Sequence, residues 1–136
     1  MSPTIPSSRR DGSRRGVAAV EFAVCLPVLV VLVLGTIECT NMIFVQQSMH
    51  VVAYEGIRTA VNPGSLNSDV ATRCNQVVAE RGLRNVTTTT IPADVTTVAP
   101  GQPITMRVQL PYARNSVTGM GYFSNQLTAL VVMVKE

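Results

Sequence analysis

Apolar positions along this chain follow three successive rhythms. From Val17 to Ile37 the sequence reads VAAVEFAVCLPVLVVLVLGTI, with Glu21 as its single charge. At about 1.5 Å per residue such a run matches the roughly 30 Å of a hydrocarbon core, and it predicts a membrane-spanning helix. Beyond it Met42, Val45, Met49, Val52, Ala53, Gly56 and Ala60 recur at three- and four-residue steps, while Thr40, Gln47 and Arg58 lie off that stripe. This is the pattern of an amphipathic helix with one buried face. Asn62-Pro63-Gly64 ends it, because proline and glycine in succession stop a helix. The reading is one helix from Val17 to Val61, about 68 Å long, half in lipid and half a projecting stem.

A shorter helix is expected from Asp69 to Arg81, with Asn67 or Ser68 as its N-cap, Gly82 as its stop, and Val70, Cys74, Val77 and Val78 as its buried face. The rhythm then changes to β-branched residues: Asn85 to Ile91, Ile104 to Leu110 and Leu127 to Val134. The middle segment alternates strictly, Ile104, Met106, Val108 and Leu110 against Thr105, Arg107 and Gln109, as a half-buried strand does. Pro100-Gly101-Gln102-Pro103 turns into it and Pro111 ends it. Tyr112 to Asn125, rich in Gly, Ser and Asn, reads as an exposed loop. The fold class is therefore α+β: a long N-terminal transmembrane helix continuing into a stem packed on a small antiparallel sheet. Three regions follow: a basic leader or cytoplasmic tail over 1–16, the helix over 17–61, and a small exported α+β domain over 62–136.

The net charge of +3 changes meaning once it is located. Arg9, Arg10, Arg14 and Arg15 against Asp11 supply all of it, and from Val17 onward seven basic residues balance seven acidic ones. Basic residues directly before an apolar span are retained in the cytoplasm, so the C-terminal part is exported. No basic and aromatic interleaving follows, which sets nucleic acid aside as a partner. The leader itself is too polar to bury a core and reads as disordered over residues 1 to 15.

A cleaved secretory signal needs a shorter apolar run and a small-residue cleavage site. Gly35-Thr36-Ile37-Glu38-Cys39 offers neither that site nor a lipobox, and the twin arginines are not followed by the Phe-Leu-Lys of a Tat signal. Glu21 is the informative residue. A carboxylate at mid-bilayer costs about 2.5 to 3.5 kcal/mol, less near the edge, so it is there for a partner. Arg14-Arg15-Gly16-Val17-Ala18-Ala19-Val20-Glu21-Phe22 resembles the class III signal of type IV-like pilins: basic leader, glycine, then an apolar helix opening with Glu-Phe. Read further, Gly16 to Val61 resembles the TadE-like pseudopilin family of tight-adherence pili. Three marks carry the likeness: the A-A-V-E-F-A opening at Ala18 to Ala23, Leu26-Pro27 before the leucine-valine run, and Glu55-Gly56-Ile57-Arg58. The C-terminal half is similar only in kind, through its alternating strands.

The resemblance implies a type IV pilin-like fold and a minor pilin or pseudopilin in the bacterial inner membrane. It implies a processing site at Gly16, Val17, Glu21 and Phe22, and assembly contacts at Glu21, Pro27, Glu55 and Arg58. The partners it implies are other pilin or pseudopilin subunits through the N-terminal helix, a prepilin peptidase, the inner-membrane assembly machinery and lipid. The alternative is a single-pass, uncleaved anchor carrying a periplasmic binding domain.

No enzyme is expected. His50 is the one histidine, on the stem and without a Cys or Asp pair at useful spacing, and reads as solvated. Neither metal nor cofactor is expected, since Cys25, Cys39 and Cys74 have no C-x-x-C spacing. Cys25 reads as a small buried hydrophobe, and Cys39 and Cys74 either pair in an oxidising compartment or stay free. Glu55 and Arg58, three apart on a helix, read as a surface ion pair or a capping contact. Asn85-Val86-Thr87 fits a glycosylation sequon, a motif common by chance.

Overall fold

The structure, a computed structural model, describes residues 11–119 and 125–136. The chain divides into two compact units, residues 1–36 and 37–136. Helix α1, Asp11–Val61, supplies the described part of the first unit and the opening segment of the second. The leader expected to be unstructured is helical from Asp11, while residues 1–10 lie outside the described residues. Extending an existing helix avoids the nucleation cost, so a polar stretch can follow an apolar one into helical geometry.

In the second unit the stripe predicted on α1 is the face that packs. Val45, Met49, Val52, Ala53, Gly56 and Ala60 are buried, Met42 is half-buried, and Thr40, Gln47, His50 and Arg58 are exposed. Helix α2 spans Asn67–Glu80 and buries Val70, Cys74 and Val77. It starts two residues before the sequence reading because its cap is Leu66, whose backbone N–H donates to the Asp69 carboxylate at 3.0 Å. Asn67 is occupied elsewhere. Its amide nitrogen donates to Asp94 Oδ1 at 3.1 Å and its amide oxygen accepts the Val95 N–H at 3.0 Å.

Strands β1 (Thr87–Ile91), β2 (Pro103–Pro111) and β3 (Gln126–Val134) form an antiparallel sheet in the order β1-β2-β3. Central β2 pairs Met106 with Thr90 on one side and Val131 on the other. The expected β1 is shorter at its start because Asn85 has φ 56°, a left-handed conformation that a strand cannot contain. The alternation in β2 holds along its length: Ile104, Met106, Val108 and Leu110 are buried against α1 and α2 residues in one core, and Arg107 is exposed. Each such side chain contributes about 1.5 to 3 kcal/mol by leaving water. In β3 Leu127 and Ala129 face the same core, and Leu130, Val132 and Val134 face out.

The segment expected to be an exposed loop departs most from the sequence reading. Tyr112, which opens a 3-10 turn at Tyr112–Arg114, is fully buried. Its hydroxyl donates to the Glu38 carbonyl at 3.0 Å and accepts from Asn41 Nδ2 at 3.1 Å. Glu38 is itself buried, and its carboxylate accepts from the Thr118 N–H and hydroxyl at 3.2 and 3.1 Å. These bonds tie residues 112–118 to α1. Residues 120–124 of the same expected loop lie outside the described residues.

The connection from β1 to β2 carries a pH-sensitive turn. Asp94 accepts from the Thr96 hydroxyl at 2.7 Å and the Thr96 N–H at 3.0 Å, and Lys135 reaches the neighbouring Val95 carbonyl at 2.6 Å. Hydrogen bonds from Thr96, then from Asn67, with the Lys135 charge nearby, hold the Asp94 carboxyl below its ordinary value of 3.8. A depressed carboxyl stabilises the fold above its unfolded pKa, and the gain is lost as pH falls through the folded one. In NMR spectra the Thr96 amide resonance should therefore titrate with a midpoint below 3.8, and in Asp94→Asn it should not titrate. A midpoint above that value would contradict the turn geometry.

Candidate functional site

Within the first unit the helix from Val17 to Thr36 is exposed at every position but Leu34, which is half-buried. Its most apolar window has a mean hydropathy of 2.8 and none of that window is buried. Val20, Phe22 and Val24 are 64%, 62% and 71% exposed, so the segment is apolar all round and is matched to a nonpolar surrounding. Glu21 stands exposed among them. Gly16 and Val17 lie inside helical backbone, and a Cβ on Gly16 would meet nothing within 4 Å. Helix α1 continues through Pro27, whose missing N–H leaves one helical carbonyl to other partners. Cys25, inside the apolar run, is exposed among the described residues; Cys39 is exposed and unbridged, and Cys74 is buried and unbridged. Burial pushes the Cys74 thiol up, away from the reactive thiolate.

The second cluster is Glu55-Gly56-Ile57-Arg58, in the second unit. Glu55 pairs with Arg73 of α2, accepting from Nη2 at 2.9 Å and from Nε at 3.3 Å, and not with Arg58, which is exposed. The i, i+3 pair expected from spacing loses to a partner on another helix, which the linear sequence cannot reveal. At this degree of exposure the pair is worth under about 1 kcal/mol and acts mainly on register. Gly56 is buried where α1 meets α2 and β2: a Cβ built on it would run into Cys74 Sγ and would lie 3.0 Å from Met106 Cε. Ile57 is fully buried in the same core. The four-residue motif thus docks α2 and the sheet onto α1.

The Glu38–Tyr112–Thr118 network was not found from the sequence. Its one visible signal was a carboxylate, Glu38, directly after the apolar run.

Residues 16–58 match the model of a family described as TadE-like protein, a range that opens at Gly16 and closes at Arg58. The resemblance read from the sequence is thereby supported over that segment. No curated protein and no solved structure matches the chain.

Proposed function

We propose that this chain, TadE-like over residues 16–58, is a pseudopilin or minor pilin subunit that contributes to assembly of a tight-adherence, type IV-like pilus. The observation that carries the reading is an apolar helix, none of whose most apolar window is buried, bearing one carboxylate, Glu21, inside the TadE-like range. Such a surface suits lipid before assembly and the helices of other subunits afterwards, and it serves structure, not catalysis. In this reading the chain sits in the bacterial inner membrane with the arginines cytoplasmic and residues beyond about Thr40 outside. A prepilin peptidase is the processing partner, acting between Gly16 and Val17.

One observation favours the alternative of an uncleaved anchor. Gly16 lies inside a helix that begins at Asp11, and a protease requires extended backbone at the bond it cuts, so helix at Arg14–Val17 must first unwind. Glycine makes that unwinding easier by about 1 kcal/mol relative to alanine. N-terminal sequencing of protein from the native host separates the two readings. The pilin reading expects the mature chain to begin at Val17, with Gly16→Leu retaining the longer form. A mature chain beginning at Met1 or Ser2 would leave only the anchor.

A further inference from the structure

The turn that follows α2, the 3-10 turn after β2 and α1 together enclose a cleft of about 230 Å³ in the second unit. Arg81, Arg84 and Arg114 line it, with Asn41, Asn115 and Phe44. Among the described residues no carboxylate lines it. Of the seven basic side chains beyond Ile37, three therefore share one small cleft. None of the three guanidiniums has a hydrogen bond or ion pair among the described residues, whereas Arg73 is paired with Glu55 and Lys135 is bonded to Val95. Glu80, beside Arg81 in sequence, accepts from Gln76, and Glu38, about one turn from Asn41 on α1, is taken up by Thr118.

The convergence is built, not incidental. Asn115 accepts the Arg84 N–H at 2.9 Å and donates to the Arg84 carbonyl at 3.0 Å, which clamps the Arg84 segment to the segment that bears Arg114. Asn41 donates to the Asn115 carbonyl at 2.8 Å and fixes the pair to α1. Gly82, at φ 65°, makes the tight turn that places Arg81 and Arg84 on one side. Three like charges held together without a counter-charge repel, and an anion relieves that repulsion. Guanidinium forks match the oxygens of a phosphate in particular.

We propose that this cleft binds the phosphate of an anionic phospholipid head group at the surface of the bilayer. Asn41 and Phe44 stand about one and about two helical turns past Ile37, where the apolar run ends. That is the depth at which head groups lie. Phe44, which lines the cleft, is 51% exposed, an apolar ring beside the guanidiniums that suits the glycerol and first acyl carbons of a lipid. A free inorganic anion makes no use of it. The site is independent of the pilus reading and needs only that the helix enters a membrane.

The test uses the full chain in nanodiscs of phosphatidylcholine mixed with phosphatidylglycerol, with co-retained lipid identified by native mass spectrometry. Both leaflets carry the anionic lipid, so orientation is not assumed. The variant Arg81→Gln with Arg114→Gln is compared with Arg58→Gln with Arg107→Gln, which removes equal charge from exposed positions outside the cleft. The leader arginines are common to both. An arginine near an anionic surface is worth about fivefold in binding, so the cleft double should lose about 25-fold and the control double far less. Arg81→Lys with Arg114→Lys, which keeps charge and solubility but removes the forks, should retain less than the parent chain. Equal loss in the two glutamine doubles, or no preference for phosphatidylglycerol in the parent chain, would overturn the site. Displacement of the lipid by millimolar inorganic phosphate would overturn the head-group assignment in favour of a free anion.

Discussion

Gly56→Leu is expected to destabilise the second unit by about 3 kcal/mol, enough to remove most of the stability of so small a core. The position tolerates no side chain: a Cβ there already collides with Cys74 Sγ, and Met106 Cε stands 3.0 Å away. Both neighbours are fully buried, so neither can swing into solvent. Gly56→Ala is the sharper probe because two effects of opposite sign compete. Alanine gains about 1 kcal/mol in helix propensity, and overpacking costs about 1 to 3 kcal/mol. The balance should be destabilising in the parent chain. In a Cys74→Ala background the colliding sulfur is gone, and the same substitution should become neutral or stabilising. Denaturant unfolding of the full chain in detergent, followed by the near-UV signal of buried Tyr112, measures all four corners of the cycle. If Gly56→Ala cost the same with and without the cysteine sulfur, the close approach of α1 and α2 at Gly56 would be disproved.

What the sequence revealed and what it hid separate along a physical line. Periodic features were legible: the stripe from Val45 to Ala60 and the alternation from Ile104 to Leu110 are properties of consecutive residues, and the fold buries the faces they mark. The core could be named almost residue by residue because burial follows the period of the backbone. Pairings between elements were not legible. Glu55 is three residues from Arg58 but bonds to Arg73 on another helix, and only the packing of α2 on α1 decides between them. Tyr112 lies in a segment whose composition is that of a loop, yet it is fully buried because its hydroxyl satisfies the Glu38 carbonyl and Asn41. A buried tyrosine of this kind has no periodic signature. Asn67 shows the same limit at short range: a good N-cap by type, it is used instead to hold Asp94 and Val95.

Glu21→Ala is expected to leave membrane insertion intact, or improve it, and to abolish incorporation into the proposed assembly. The carboxylate sits near the start of the apolar run, exposed and among exposed apolar side chains. Removing it relieves an insertion cost of up to about 2.5 to 3.5 kcal/mol. In the proposed function that cost is offset by contact with a second molecule. Cutting between Gly16 and Val17 would supply the partner's chemistry: it discards the basic leader and creates a new α-amino group on Val17, about one helical turn from Glu21. Between staggered helices the amine of an incoming subunit would meet the carboxylate of a neighbour, and each charge would offset the other's desolvation. Such a pair sets axial register more than it adds stability. A subunit lacking it would still lie in the membrane but would not be held at the height its neighbours require. Membrane fractionation and purification of pili from cells expressing Glu21→Ala give the two readouts separately. Glu21→Asp keeps the charge on a shorter arm and should recover part of the incorporation, whereas Glu21→Gln should not. Full incorporation of the alanine variant would exclude the charge pair and require another reason for a carboxylate at this depth.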